Sequence, residues 1–160
     1  MIFGLKTRFA VESEVNELET EYVFGQICFW ANDRRLGDYE QRVLLQPIAD
    51  YLRETLDHQG QRSSELLSGL TSEQVLDRVY TALYGEVTEN SGQQWQQYQK
   101  FCICPNGCEA FDGEVAVLLE DAEGERWIWR DFFDKKVYEM RLNRDEYEAT
   151  VEAFLDWLDS

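Results

Sequence analysis

The side chains best suited to metal or nucleophile chemistry are three neighbouring cysteines, Cys102, Cys104 and Cys108, and the only histidine, His58. Three thiolates and an imidazole could hold zinc, yet structural zinc sites bring their cysteines as paired knuckles two to four residues apart. Here Cys104 and Cys108 flank Pro105-Asn106-Gly107, and no second pair follows. A nucleophile needs a base within hydrogen-bond reach. His58 sits beside Gln59 and Gly60 at the polar end of a helical pattern, the setting of a surface histidine. The thiols therefore read as reduced and buried; a Cys104–Cys108 bridge is sterically open but disfavoured in a reducing compartment. No Gly-x-Ser-x-Gly elbow, phosphate-cradling glycine loop or His-Glu-x-x-His helix occurs. With 32 Asp and Glu, a carboxylate pair that resembles a glycosidase carries no information. Asp121 to Glu125 also lacks the ligand spacing of an EF-hand loop. No catalytic residue, metal centre or cofactor is expected, and the chain does not read as an enzyme.

What the chain has in excess is negative charge. Against those 32 acids stand 15 basic side chains, a net charge of −17 in 160 residues. A field of that sign argues against nucleic acid or an anionic membrane surface and favours a cationic partner. Solubility alone is the plainer reading of the same number. The acids are clustered: Glu12, Glu14, Glu17, Glu19 and Glu21 form one run without a basic residue. Glu109, Asp112, Glu114, Glu120, Asp121, Glu123 and Glu125 form another. Each run lies next to aromatics, Tyr22 and Phe24 for the first, Phe111, Trp127 and Trp129 for the second. Such runs are ordinarily solvated faces, but acids around aromatic anchors also suit an interface with a basic protein. No apolar stretch reaches the roughly 18 residues of a membrane helix. The opening Met1-Ile2-Phe3-Gly4-Leu5-Lys6-Thr7-Arg8 has no secretion-signal pattern, so a cytoplasmic location is expected.

These residues need elements to position them, and the periodicities predict an α+β fold of one domain spanning 1–160. Residues 7–15 read as a strand with Phe9, Val11, Ser13 and Val15 on one face, followed by a turn over 16–20. Residues 21–31 are apolar on both faces, so they belong in the middle of a sheet, with Gly25 marking a bulge or close approach. Three further strands carry Val115, Val117 and Leu119, then Trp127, Trp129 and Phe133, then Tyr138, Met140 and Leu142, with one buried face. Residues 98–104 read as another strand, 59–64 as linker and 86–97 as exposed connection. Three main helices, over about 43–58, 71–85 and 143–159, pack on the antiparallel sheet. Thr71 and Gln74 form a capping box for the second, and Asn143 with Glu146 is placed to cap the third.

With those residues in view, the chain resembles the immunity protein 42 family of bacterial polymorphic-toxin and contact-dependent growth inhibition systems. The resemblance rests on Met1-Ile2-Phe3-Gly4, Arg8-Phe9-Ala10-Val11-Glu12 and Phe24-Gly25-Gln26-Ile27-Cys28-Phe29-Trp30. It continues through Leu36-Gly37-Asp38-Tyr39, Glu109-Ala110-Phe111-Asp112-Gly113 and Arg126-Trp127-Ile128-Trp129. It implies a small cytoplasmic protein that neutralises a cognate toxin C-terminal domain by binding it. The charge adds that this toxin should be basic, a nuclease above all, since a carboxylate surface can occupy a phosphate-binding site. The expected contacts are Glu109, Asp112, Glu114, Glu120, Asp121, Glu123 and Glu125, with Asp38 and Tyr39 as a second patch. An acidic adaptor unrelated to toxins is the alternative.

Overall fold

The structure is a computed structural model that describes residues 1–19 and 21–160, with the backbone alone at 17–19. Its first half is a sheet of five strands: β1 (Ile2–Gly4), β2 (Phe9–Glu19), β3 (Tyr22–Ala31), β4 (Arg34–Leu36) and β5 (Val43–Leu44). β3 lies in the middle, antiparallel to β2 on one side and to β4 and β5 on the other. Its apolar residues on both faces find cover there, as the sequence predicts. The first strand does not end at residue 15. β2 continues past Asn16 to Glu19 through a register shift between Val15 and Glu17, and of the predicted turn Thr20 lies outside the described residues. Gly25 pairs with Val15 at that bulge, where a Cβ would lie 2.1 Å from the Glu14 carbonyl oxygen, so no larger residue fits.

Helices follow: α1 (Leu45–Leu56), a short α2 (Glu65–Ser68), α3 (Ser72–Tyr84) and α4 (Ser91–Tyr98). Thr71 accepts the Gln74 N–H while the Gln74 side chain returns to the Thr71 N–H, the expected capping box. α4 replaces the exposed connection expected over 86–97. Its Gln-rich sequence has no apolar stripe, and what holds it is Tyr98, buried, and Trp95 set edge-on to Tyr84. The predicted strand over 98–104 is a 3-10 turn (Gln99–Phe101) and a single bridge from Cys102 to Val117.

A second antiparallel sheet is built from β6 (Ala116–Asp121), β7 (Gly124–Arg130) and β8 (Val137–Leu142), and α5 (Glu146–Asp159) closes the chain. This sheet is buried on both faces, not one. Ala116, Leu118, Trp127 and Trp129 share a core with Phe9, Phe29, α1 and α5. Val117, Leu119 and Ile128 point the other way, onto Leu67, Val75, Leu76 and Val79 of α2 and α3. The second sheet is thus a middle layer. Phe133, expected in line with the tryptophans, lies beyond the end of β7 and is 69 % exposed. α5 begins three residues later than expected: Asp145 at φ 67° breaks the chain direction, and Asn143 contributes its backbone N–H to Glu146 Oε2 at 2.8 Å instead of a side-chain cap.

Trp127 is the hinge of the two sheets, with ring centroids 4.7 Å from Phe9 and 6.0 Å from Tyr147. Trp127→Ala should therefore cost about 3–5 kcal/mol by urea denaturation. Phe133→Ala should stay within about 0.5 kcal/mol.

Candidate functional site

Phe111 packs against Phe29 with centroids 4.8 Å apart, which anchors the 3-10 turn Glu109–Phe111 on the first sheet. Gly37 follows β4 with φ +99°, and a Cβ there would meet the Phe111 ring at 2.9 Å. This close approach lets the Asp38 N–H donate to the Ala110 carbonyl at 2.6 Å. Asp38, Tyr39 and Glu40 are thereby set beside Glu109 and Asp112, joining the two patches that the sequence kept apart. Asp38 Oδ1 accepts the Glu40 N–H at 3.1 Å, and Gln41 reaches Glu109 Oε2 at 3.4 Å. Glu40, Glu109 and Asp112 are exposed. Burial, then the charges of Glu12 and Glu14, push the Tyr39 phenol up to about 12, so it remains an O–H donor at neutral pH. Glu109 also edges a cleft of about 390 Å³ between the start of α1 and the Pro105–Cys108 turn.

The remaining predicted contacts lie along and beyond β6, and most have acquired partners from elsewhere. Glu114 is 4 % exposed and takes the Lys135 ammonium at 3.2 Å; burial raises its carboxyl despite that cation. At the far end, Ala122 and Glu123 form the two-residue turn of the hairpin. Asp121 binds Arg141 at 2.5 Å and accepts the Glu123 N–H at 2.8 Å. Partial burial pushes that carboxyl up, but these bonds hold it below the usual carboxylate range. Glu123, exposed, lies 3.9 Å from Arg141.

Glu120 and Glu125 belong to a buried cluster centred on a residue the sequence gives no reason to single out. Arg62, in the stretch read as linker, is 0 % exposed. Its Nη1 donates to Glu148 Oε1 at 2.8 Å and to Glu120 Oε1 at 3.2 Å, its Nη2 to the Thr55 carbonyl and its Nε to the Lys100 carbonyl at 3.2 Å. Glu120 also receives the N–H groups of Gly60 and Arg62 at 2.9 and 3.2 Å. Glu125 and Glu148 are each 2 % exposed, and one oxygen of each, Oε2, has no hydrogen-bond partner among the described residues. Glu125 was expected at the surface; the alternation of β7 turns it inward, on the same side as Trp127. Burial, then the neighbouring Glu148, push its carboxyl up to about 8, so it holds a proton at neutral pH.

The four cysteines are free thiols. Cys102 Sγ contacts Tyr80 Oη at 3.2 Å and Asn106 Nδ2 at 3.6 Å, while complete burial pushes the Cys104 thiol far up. His58 and Cys102 line one cavity of about 270 Å³. Burial, then Arg62, lower the imidazole pKa.

The geometry is that of an α+β fold with two antiparallel sheets, in which three of the four thiols are buried. Comparison with known proteins places it further. The family model described as Immunity protein 42 matches residues 1–157, and the chain belongs to that family. None of the curated proteins matches. Among solved structures, the crystal structure of CdiI from Burkholderia dolosa AUO158 is similar, with a TM-score of 0.78. The match covers 98 % of this chain and 99 % of that one at 14 % identity, and it shows the fold.

Two stability measurements test the cluster, both in chelator. Glu125 holds its proton in the fold up to about 8, whereas the unfolded chain releases it near the ordinary 4.5. Its contribution is therefore complete below 4.5 and is lost as pH rises toward about 8. Glu125→Gln, which cannot ionise, should gain stability relative to the parent across that window in urea titrations. Arg62→Met should cost at least about 3 kcal/mol, because it leaves Glu120 and Glu148 without their buried cation.

Proposed function

We propose that this protein is the cytoplasmic antidote to one toxin, binding the toxin's C-terminal domain and blocking it without catalysis. Membership of the immunity protein 42 family over residues 1–157 is the observation that carries the reading. The toxin is proposed to be basic, and a nuclease. A nuclease must be cationic where it holds phosphates, and a net charge of −17 supports a carboxylate surface that takes their place. The same charge disfavours nucleic acid and anionic membranes as partners of this chain. No helix among the described residues is long and apolar enough to cross a membrane.

For the contact surface we propose Asp38, Tyr39, Glu109 and Asp112, with Glu40 added by its position between them. Three of these acids, Glu40, Glu109 and Asp112, are exposed. The cleft beside Glu109 offers apolar walls to an aromatic or aliphatic anchor of the partner. Asp121 and Glu123 form a second, weaker patch, because Arg141 offsets them. Glu114, Glu120 and Glu125 are assigned to the support of these surfaces by their burial.

Co-expression tests the role: the chain should rescue cells from one toxin and from no unrelated one, and rescue from none or from many would overturn it. The surface is tested by the triple variant Asp38→Lys, Glu109→Lys, Asp112→Lys. Its association with that toxin should slow by roughly tenfold or more at low salt and lose much of its salt dependence. A triple reversal at Glu65, Glu73 and Asp77, exposed around α2 and α3, should slow it far less; equal slowing would place the effect in net charge and not in this patch.

A further inference from the structure

We propose that Glu120, Glu125 and Glu148 form a binding site for one hard divalent cation, of the Mg²⁺, Mn²⁺ or Ca²⁺ class. One oxygen from each of the three lies within 4.8 Å of the others. Ligand oxygens at about 2.0–2.6 Å from such an ion stand at most ~5 Å apart, so a single ion can touch all three.

The second observation is a pair of buried oxygens. Glu125 Oε2 and Glu148 Oε2 are buried and receive no donor from another of the described residues, so what brings the two carboxyls together is a proton shared between them or a cation. Arg62 is not that cation, because its nitrogens already serve Glu148 Oε1, Glu120 Oε1 and the carbonyls of Thr55 and Lys100. Charge points the same way. Three carboxylates against one guanidinium leave two negative charges when all are ionised, the complement of a divalent ion.

Access and ligand type complete the argument. Glu120 and Glu125 line a cleft of about 280 Å³ whose other walls are Gln59, Gly60, Gly124, Arg144 and Asp145. The donors are all carboxylate oxygens, with neither sulfur nor imidazole among them, which selects hard cations over zinc or copper. The other charged groups that face the site are Arg62 beside it and Arg144 and Asp145 at the mouth. Occupied, the site would tie α5 to the β6–β7 hairpin and to the segment after α1. The inference is independent of the immunity reading, and no toxin enters its test.

The chelator-treated full chain is titrated with Mn²⁺ and free ion is read by electron paramagnetic resonance. We expect one saturable ion per chain. Glu125→Gln keeps the shape of the protonated carboxyl and should remain folded by circular dichroism while losing at least ~10-fold in affinity. If it does not fold, Glu120→Gln, nearer the cleft mouth, reads the same loss. Glu152→Gln, exposed on α5, should bind as the parent does. Absence of saturable binding up to about 10 mM Mn²⁺, or parent-like binding by the folded Glu125→Gln or Glu120→Gln chain, overturns the proposal and leaves a shared proton as the occupant.

Discussion

A guanidinium with no access to water holds four parts of this molecule to one another. Arg62 reaches the last turn of α1 through the Thr55 carbonyl, the turn after α4 through the Lys100 carbonyl, β6 through Glu120 and α5 through Glu148. Burying a charge costs several kcal/mol unless its partners are close and well aligned. The planar fork of arginine meets that demand where a lysine would not, since its donors point in fixed directions toward several acceptors at once. The backbone takes part as well. Glu120 receives N–H groups from Gly60 and Arg62 and returns its own N–H to the Arg62 carbonyl. The stretch between α1 and α2 is therefore pinned to the second sheet along several bonds, and the hairpin that ends in Glu123 inherits its position from it.

Around that junction the apolar layers explain why the acids divide into two kinds. The second sheet sits between two cores, so alternate residues of β6 and β7 have no route to water. An acid on such a strand is drawn to a buried cation, as Glu120 is to Arg62, or kept protonated by burial, as Glu125 is, while Glu114, just before β6, meets the Lys135 ammonium. The acids of the short turns face solvent instead. Glu109 and Asp112 flank a 3-10 turn whose Ala110 and Phe111 are buried, and Glu40 follows a loop clamped by Gly37 against the same ring. Within the run from Glu109 to Glu125, the acids that remain exposed, Glu109, Asp112 and Glu123, lie on turns.

Period-two and period-3.6 patterns carried the strands and the three main helices, because each pattern is a statement about one face of one element. Two apolar faces put β3 in the middle of its sheet, and two residues three apart, Thr71 and Gln74, carry the capping box. The errors fall where local preference was overridden. Asn16 and its polar neighbours read as a turn, yet a bulge carried the strand through them. Residues 91–98 are poor in apolar spacing and fold as α4 because Tyr98 is buried.

Charge compensation was not readable in the same way. The run from Glu109 to Glu125 contains no basic residue, but Arg62, Lys135 and Arg141 come to it from distant segments. Pairing across 58 positions, as between Arg62 and Glu120, leaves no periodic trace, and the polar residues around Arg62 look like any exposed linker. The sequence alone determined the class of fold, the excess of negative charge and the family resemblance, since these depend on composition and near-neighbour spacing. Which acids are free and which are locked inside was decided only when the two sheets and α5 closed over them, because burial and ion pairing belong to the packed chain as a whole.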